Sequence, residues 1–315
     1  MVLEVWLLSV SIVNAWFVPI SKNLGAKNLG ATNFMSVKHK ILNLLTQFLK
    51  GSIQIVGGEK ATAIMAQISE DITPILINKT DFGSISFFCP GKIPERRAKT
   101  LLTKEPGTIE WINGFNEADV FWDIGANVGV YSLYAASKGL SVLAFEPSPS
   151  NYYLLSKNIE VNKMDDKISA YCIALNNNTK LDIFYMANTE LGGALNSFGE
   201  ANDWQGKTFT VSLKQAMVGF SIDDFIKQFN PPFPDHIKID VDGIEDSIIK
   251  GGNNTLKDSH LKSLLVELNS ENKELTGGVV DILNGSGLTL FTKVRSSMPD
   301  DSEFANVYNY IFVRS

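Results

Sequence analysis

The chain has 315 residues, 44% hydrophobic and 20% charged, an ordinary globular composition that can bury a sizeable core in one large domain or two smaller ones. A formal net charge of −6 supplies no basic field for a phosphate backbone, which argues against a nucleic-acid partner. The two cysteines, Cys89 and Cys172, fit no zinc or redox spacing and read as thiols in a reducing compartment.

Residues 2–20 are mostly apolar, but no Lys or Arg precedes the run and Glu4 stands where a signal peptide carries positive charge. Glu4 and Asn14 also interrupt a stretch of barely spanning length. The segment is expected to pack on the core or lie at a membrane interface, so the protein reads as cytoplasmic with membrane contact through residues 2–20 left open. Residues 21–34 hold a five-residue echo, Lys22 to Ala26 and Lys27 to Ala31, too short for a solenoid and read as a linker. Val37 to Leu49 has helical spacing, with Gly51 as its stop. Residues 1–50 thus form an N-terminal extension.

Short apolar runs at Ile53–Val56, Ile75–Ile77 and Ile85–Phe88 read as strands, and Glu95–Leu102 and Thr108–Phe115 as helices. Residues 51–118 are expected to pack on a core domain spanning 119–315. There the pattern turns to βαβ. Strands fall at Val120–Ile124, Ser141–Glu146, Ile168–Ile173, Ile237–Val241 and Leu264–Leu268. Helices fall at Val130–Lys138, Ser150–Asn162, Ile222–Phe229, Glu245–Lys257 and Gly277–Asn284, with a hairpin-like stretch through Leu181–Met186. Continuous apolar strands alternating with helices specify an α/β, doubly wound, mostly parallel sheet covered on both faces. No helix fits between Leu288–Val294 and Val307–Val313, so this last pair is expected to be antiparallel.

Three features carry chemistry. The first is Asp123-Ile124-Gly125-Ala126-Asn127-Val128-Gly129, which follows a strand and opens a helix. Loops there lie at the ligand edge of an open α/β sheet, and the following helix aims free N–H groups at a bound group. It is not the dinucleotide fingerprint, because Asn127 takes the middle position and the final glycine comes one residue early. Asp123, Gly125, Ala126, Asn127 and Gly129 are therefore candidate cofactor residues. A side chain at Gly125 is expected to exclude the ligand and leave the fold intact. The second feature is Glu146 at the end of the next strand, placed to accept both hydroxyls of a ribose. The third is His236-Ile237-Lys238-Ile239-Asp240-Val241-Asp242-Gly243-Ile244-Glu245, whose period-2 alternation puts Lys238, Asp240 and Asp242 on one face. Charges are rarely buried unpaired in a central strand, so Asp240 and Asp242 are candidate catalytic residues. The bland alternative makes Lys238–Asp240 an ion pair and Asp242 a helix cap.

Together with Phe121-Trp122 before the first motif and Phe145 and Pro147 around Glu146, these residues resemble the FkbM family of methyltransferases. Ser221–Phe225, Leu265–Leu268 and Glu105–Ile112 support the resemblance, which covers about residues 84–294. It implies a Rossmann-like class I methyltransferase sheet of seven strands, S-adenosylmethionine as cofactor, and O-methylation of a hydroxyl on a sugar, glycan or secondary metabolite. Residues 1–80 lie outside it, and the Trp204–Gly219 connection is longer than the family's usual one.

In-line methyl transfer needs alignment of donor and acceptor, and an alcohol acceptor must lose a proton. Of the three histidines, His39, His236 and His260, the second begins a strand at the edge opposite the ligand and the third leads into one. Asp240 or Asp242 is better placed, as base or as ligand to a divalent cation; two carboxylates alone are thin evidence for metal, so the base is favoured. A nicotinamide-dependent oxidoreductase and an inactive cofactor-binding scaffold are the competing readings.

Overall fold

The computed structural model describes residues 57–295 and 304–314, together with 44, 46–48, 50, 51, 53, 297 and 302. The expectations for residues 2–20 and 21–34 lie outside these. Gly51 and Ile53 are both helical, so Gly51 does not end the helix there and Ile53 is not in a strand. The β preference of a branched side chain is weak and yields to context.

The chain divides into two compact units, Met1–Ile72 and Thr73–Ser315. Of the first, the structure describes mainly helix α1, Gly58–Asp71. The second begins with an antiparallel hairpin, β1 (Ile75–Thr80) and β2 (Gly83–Phe88), then helices α2 (Lys92–Lys99) and α3 (Pro106–Asn113). The βαβ series follows as β3 (Val120–Ile124), α4 (Val130–Lys138), β4 (Ser141–Phe145), α5 (Pro149–Asn162) and β5 (Ile168–Tyr171). It resumes after an insertion as α6 (Ile222–Phe229), β10 (His236–Ile239), α7 (Glu245–Lys250), α8 (Asn253–Lys257), β11 (Ser263–Asn269), α9 (Lys273–Gly285), β12 (Leu288–Arg295) and β13 (Val307–Arg314).

The main sheet has seven strands in the order β12-β13-β11-β10-β3-β4-β5. The five strands from β11 to β5 run parallel, and β13 inserts antiparallel to both its neighbours. This is the doubly wound Rossmann-like sheet that the sequence pattern specifies. Its direction of winding reverses between β3 and β10, the place in such a sheet where a ligand crevice forms at the carboxyl ends of the strands.

Side-chain alternation decides which face each residue serves. Trp122 and Ile124 of β3, Leu143 and Phe145 of β4, Ile237 and Ile239 of β10 and Leu264 and Val266 of β11 form one core layer. Phe121, Val142 and Ala144 face the other layer, with Leu133 of α4, Leu155 of α5 and Ile85 and Phe87 of the hairpin. Each fully buried Leu, Ile or Phe contributes about 1.5–3 kcal/mol, so a strand apolar on both faces is held between helices.

Three local departures from the pattern bear on the site. The stretch after β5 is more than a hairpin: β6 (Ala174–Leu175), β7 (Lys180–Met186), β8 (Asn196–Phe198) and β9 (Leu213–Phe220) form a second sheet of order β6-β9-β7-β8, and the long Trp204–Gly219 connection ends inside β9. The helix expected over Glu245–Lys257 breaks in two at Gly251, where a Cβ would come 2.2 Å from the Asn176 carbonyl oxygen. Helix α9 starts at Lys273, ahead of the expected Gly277, because Asn272 Oδ1 accepts from Leu275 N and caps it.

Candidate active site

The loop after β3 is fixed by its glycines. Gly125 has φ +84°, and a Cβ there would fall 1.9 Å from the Asp240 carbonyl oxygen. The chain leaving β3 therefore touches the chain leaving β10, which only glycine permits. Gly125 and Ala126 both donate N–H to Phe145 O, at 2.9 and 3.1 Å, tying the loop to β4. Gly129, at φ +83°, starts α4, and Asn127 adopts φ +52° between them.

Asp123, at the end of β3, is 1% exposed. Its Oδ2 accepts from Ser132 Oγ at 2.5 Å, whereas Oδ1 is buried with no hydrogen-bond partner among the described residues. Burial raises its pKa against the pull of Lys238. Asn127 Oδ1 is likewise buried without a partner, while its Nδ2 donates to Gly193 O at 2.8 Å. Glu146 Oε2 accepts from Asn127 N and Oε1 from Ser148 N, each at 2.8 Å. Burial lifts this carboxyl to about 7 in spite of those bonds.

A strap formed by residues 192–195, between β7 and β8, crosses this loop. Asn151 of α5 donates to Gly193 O at 3.0 Å and accepts from Gly192 N at 2.9 Å, and Arg97 Nε donates to Gly192 O at 2.7 Å. Leu195 N donates to Asp242 Oδ2 at 2.6 Å. The result is a solvent-open cleft of about 560 Å³ walled by Gly125, Asn127, Glu146, Asp240 and Asp242, with Phe184 and Phe198 of the second sheet on its apolar side.

Strand β10 ends at Ile239, so Asp240 and Asp242 lie on the turn that follows. Lys238, 1% exposed, donates to Asp240 Oδ2 at 2.6 Å and sits 5.0 Å from the Tyr131 ring centroid. Burial opposes charge on Asp240, but Lys238 and Lys104 win and hold it at about 2. The ion-pair reading of Lys238–Asp240 is therefore correct. The capping reading of Asp242 is not: its φ of +63° turns it out of strand register, Ile244 occupies the N-cap of α7, and the Asp242 carboxylate goes to Leu195 N. Burial and the neighbouring Asp240 raise Asp242 to about 6. Glu245 Oε1 closes the turn on Gly243 N at 3.0 Å and Val241 N at 3.3 Å, and burial raises it to about 7.

Of the eight candidate residues, Gly125, Asn127, Glu146, Asp240 and Asp242 line the cleft, whereas Asp123, Ala126 and Gly129 lie behind it, Ala126 in the core and Gly129 against Leu155 and Leu133. Sequence reasoning passed over Asn151, the strap and Glu105, which have no sequence signal, and Glu267, which does: it is a lone carboxylate in an apolar strand. Glu105 is 1% exposed and bonds Lys104 at 2.7 Å, Thr108 at 3.1 Å and Asn309 at 3.1 Å. Carboxylate oxygens of Glu105, Asp240 and Glu267 lie within 4.8 Å of one another, close enough to share a cation. Lys104 and Lys238 already supply positive charge to two of them, which disfavours a metal ion. His236 lies at the opposite end of β10, bonded to Asp119 at 3.0 Å and Ser263 at 2.7 Å.

Residues 123–310 match the profile of the methyltransferase FkbM domain. Hexuronic acid methyltransferase AglP of Haloferax volcanii is 26% identical over 51% of this chain and 61% of its own length. A tRNA (guanine(37)-N(1))-methyltransferase of Coprinopsis cinerea is 36% identical over 19% of this chain and 13% of its own. The chain thus spans less than two thirds of either relative. Among solved structures, methyltransferase FkbM of Methylobacillus flagellatus aligns at 18% identity and TM-score 0.42, over 62% of this chain and 44% of that one.

Proposed function

The chain belongs to the FkbM methyltransferase family, and on that premise we propose that it transfers a methyl group from S-adenosylmethionine to a hydroxyl on a sugar, glycan or secondary metabolite. One observation carries the reading: the glycine turn, the buried Glu146 and the Asp240–Asp242 turn share a single cleft. The residues suit the donor. Asp123 Oδ1 and Asn127 Oδ1 are buried acceptors without a partner among the described residues, which a ligand's N–H or O–H groups would satisfy. Glu146 Oε1 accepts from Ser148 N and, at 3.5 Å, from Asn151 Nδ2, while Oε2 accepts from Asn127 N alone and keeps a lone pair for a ribose hydroxyl. Gly125 lines the cleft with bare backbone, while Ala126 and Gly129 pack the loop against the core behind it.

When bound, S-adenosylmethionine supplies an electrophilic methyl group on a positively charged sulfur. The protein's part is alignment, worth up to roughly 7–11 kcal/mol, and proton removal. Asp240, paired with Lys238, is a weak base and serves to orient. Asp242, with its raised pKa, is the better proton acceptor. The acceptor oxygen forms a bond to the methyl carbon as the carbon–sulfur bond breaks. Its proton passes to the Asp242 carboxylate, and the bonding pair stays on sulfur as S-adenosylhomocysteine. A methyltransferase family disfavours the nicotinamide reading, and AglP lends loose support to a sugar acceptor.

The test is untargeted. Purified protein and labelled S-adenosylmethionine are added to fractions of a source lysate. Label is expected in the glycan or glycolipid fraction; label confined to protein or nucleic acid overturns the acceptor class.

A further inference from the structure

Among the described residues, no Lys or Arg lines the cleft. The methyl donor carries a sulfonium, an ammonium and a carboxylate. Asp240 suits either of the first two groups, since it stays ionised in spite of its burial. The carboxylate has no such counterpart on the cleft wall. An anion taken out of water without a partner is costly, so a cation is required from just behind the wall.

Burial opposes the charge on Asp240, and Lys238, Lys104 and Arg97 favour it. The field of Arg97 also reaches Glu146 and Asp242, on the other walls of the cleft. Lys238 is 1% exposed and is spent on Asp240 at 2.6 Å, and Lys104 is spent on Glu105 at 2.7 Å. Arg97 differs, because it has no ion pair among the described residues. Its Nε donates to Gly192 O at 2.7 Å, and its two terminal nitrogens have no hydrogen-bond partner among the described residues. The side chain is nevertheless held in place. Ile93 and Pro94, one turn earlier in α2, pack on Gly192, where a Cβ would meet them at 3.1 and 3.4 Å. The next residue of the strap, Gly193, lines the cleft and accepts from Asn127 of the glycine loop. The guanidinium thus stands one residue behind the wall with half its fork in use. The remaining edge, a coplanar pair of N–H₂ groups, is the shape that receives a carboxylate.

We propose that Arg97 receives the α-carboxylate of S-adenosylmethionine, a binding role separate from its bond to the strap. The proposal rests on the donor reading above and extends it to a residue that precedes the 123–310 segment matched by the family profile. It places one end of the donor's recognition on α2, ahead of the sheet, while the glycine loop and Glu146 serve the other end.

The test compares S-adenosylmethionine with decarboxylated S-adenosylmethionine, which lacks only that carboxylate, by calorimetry on the full chain. The parent should bind the first about 10–100-fold more tightly, the range for hydrogen bonds to a charged group. Arg97→Gln should remove the preference by weakening S-adenosylmethionine alone. Arg97→Lys keeps the charge without the fork and should retain part of it. Equal weakening of both compounds by Arg97→Gln makes Arg97 a pin for the strap and overturns the proposal. A preference that survives Arg97→Gln overturns it as well, since another group then holds the carboxylate. A parent with no preference overturns it whether or not the variants fold. A folded parent that binds neither compound overturns the donor reading itself.

Discussion

At the amino end of β10, Asp119 accepts from Lys262 at 2.6 Å, from His236 at 3.0 Å and from Asn116 N at 2.9 Å. His236 completes its bonding with Ser263, which also accepts from Trp111 Nε1 at 2.9 Å, and stacks on Phe115 at 3.5 Å. At the carboxyl end, a few residues away, Glu105, Asp240, Asp242, Glu245 and Glu267 outnumber Lys104 and Lys238. Both ends bury ionisable groups. At the first end burial opposes the charge on Asp119, but the bonds from Lys262, Asn116 and His236 prevail and its pKa falls to about 2. At the second, burial drives Asp242 to about 6 and Glu245 to about 7. Carboxyls left uncompensated, with raised pKa values, at one end of a strand, and compensated at the other, mark the end that works on a ligand.

The sharpest way to break this contrast is at Gly125, the contact between the two loops of the working end. Its Cβ would sit 1.9 Å from the Asp240 carbonyl oxygen, at a φ that strains any other residue. Gly125→Val should therefore lower stability by about 4 kcal/mol or more and abolish donor binding with it. This corrects the expectation from sequence that the fold would survive intact. Thermal unfolding with donor calorimetry decides the matter; a variant that keeps the parent's melting temperature refutes the contact.

Next in size is Asp242→Asn, which keeps the hydrogen bond from Leu195 but cannot take a proton. Turnover should fall by about 10²–10⁴-fold with little change in donor affinity. Full-speed turnover would leave Asp242 a turn-forming residue. Glu146→Gln should weaken the donor by about 1.5–3 kcal/mol in calorimetry, the usual value of hydrogen bonds to a charged group, and should also lower the melting temperature of the free protein, because Gln keeps one acceptor for the N–H groups of Asn127 and Ser148.

The outline of this contrast was legible in the sequence. The parallel sheet followed from apolar strands alternating with helices, and the edge position of His236 and of the Asp240–Asp242 turn followed from strand direction alone. What stayed hidden depended on contacts between segments distant in the chain. No local pattern says that Leu195 reaches Asp242, that Asn151 holds the strap, or that Asn176 blocks a continuous helix at Gly251. Glu267 shows the intermediate case. Its carboxylate in an apolar strand was visible, but only the register that sets Val266 beside Ile239 brings it to Asp240.

The compensated end predicts a different outcome from mutation. Asp119→Asn removes the charge that Lys262 and His236 share and should cost about 1.5–3 kcal/mol of stability. Methyl transfer per folded molecule should not change. If the rate falls while the melting temperature holds, the division of labour between the two ends is wrong.

The smallest effects are those of pH, and they have opposite signs at the two ends. His236 is held neutral, with burial the larger cause, and its pKa falls to about 4. Between that value and its ordinary one, roughly 6.5, the unfolded chain binds the extra proton, so this contribution is complete above that range and lost as pH falls through it. Glu146 and Glu245, at about 7, and Asp242, at about 6, behave in reverse. There the folded chain holds the extra proton. Their contribution is complete below about 4, where the unfolded carboxyls also keep their protons, and is lost as pH rises to about 7. The two windows overlap, and the carboxyls outnumber the imidazole, so together these groups make stability fall as pH rises from about 4 to about 7. Glu245→Gln should make that fall shallower, and His236→Gln should make it steeper. Donor binding adds a separate signature, because ribose hydroxyls donate to the ionised form of Glu146. Affinity should rise as pH passes through about 7, with a proton released on binding, and Glu146→Gln should remove that dependence. Calorimetry in two buffers of different ionisation enthalpy measures the proton directly. A parent protein that binds its donor with no proton released near neutrality would separate Glu146 from the donor site.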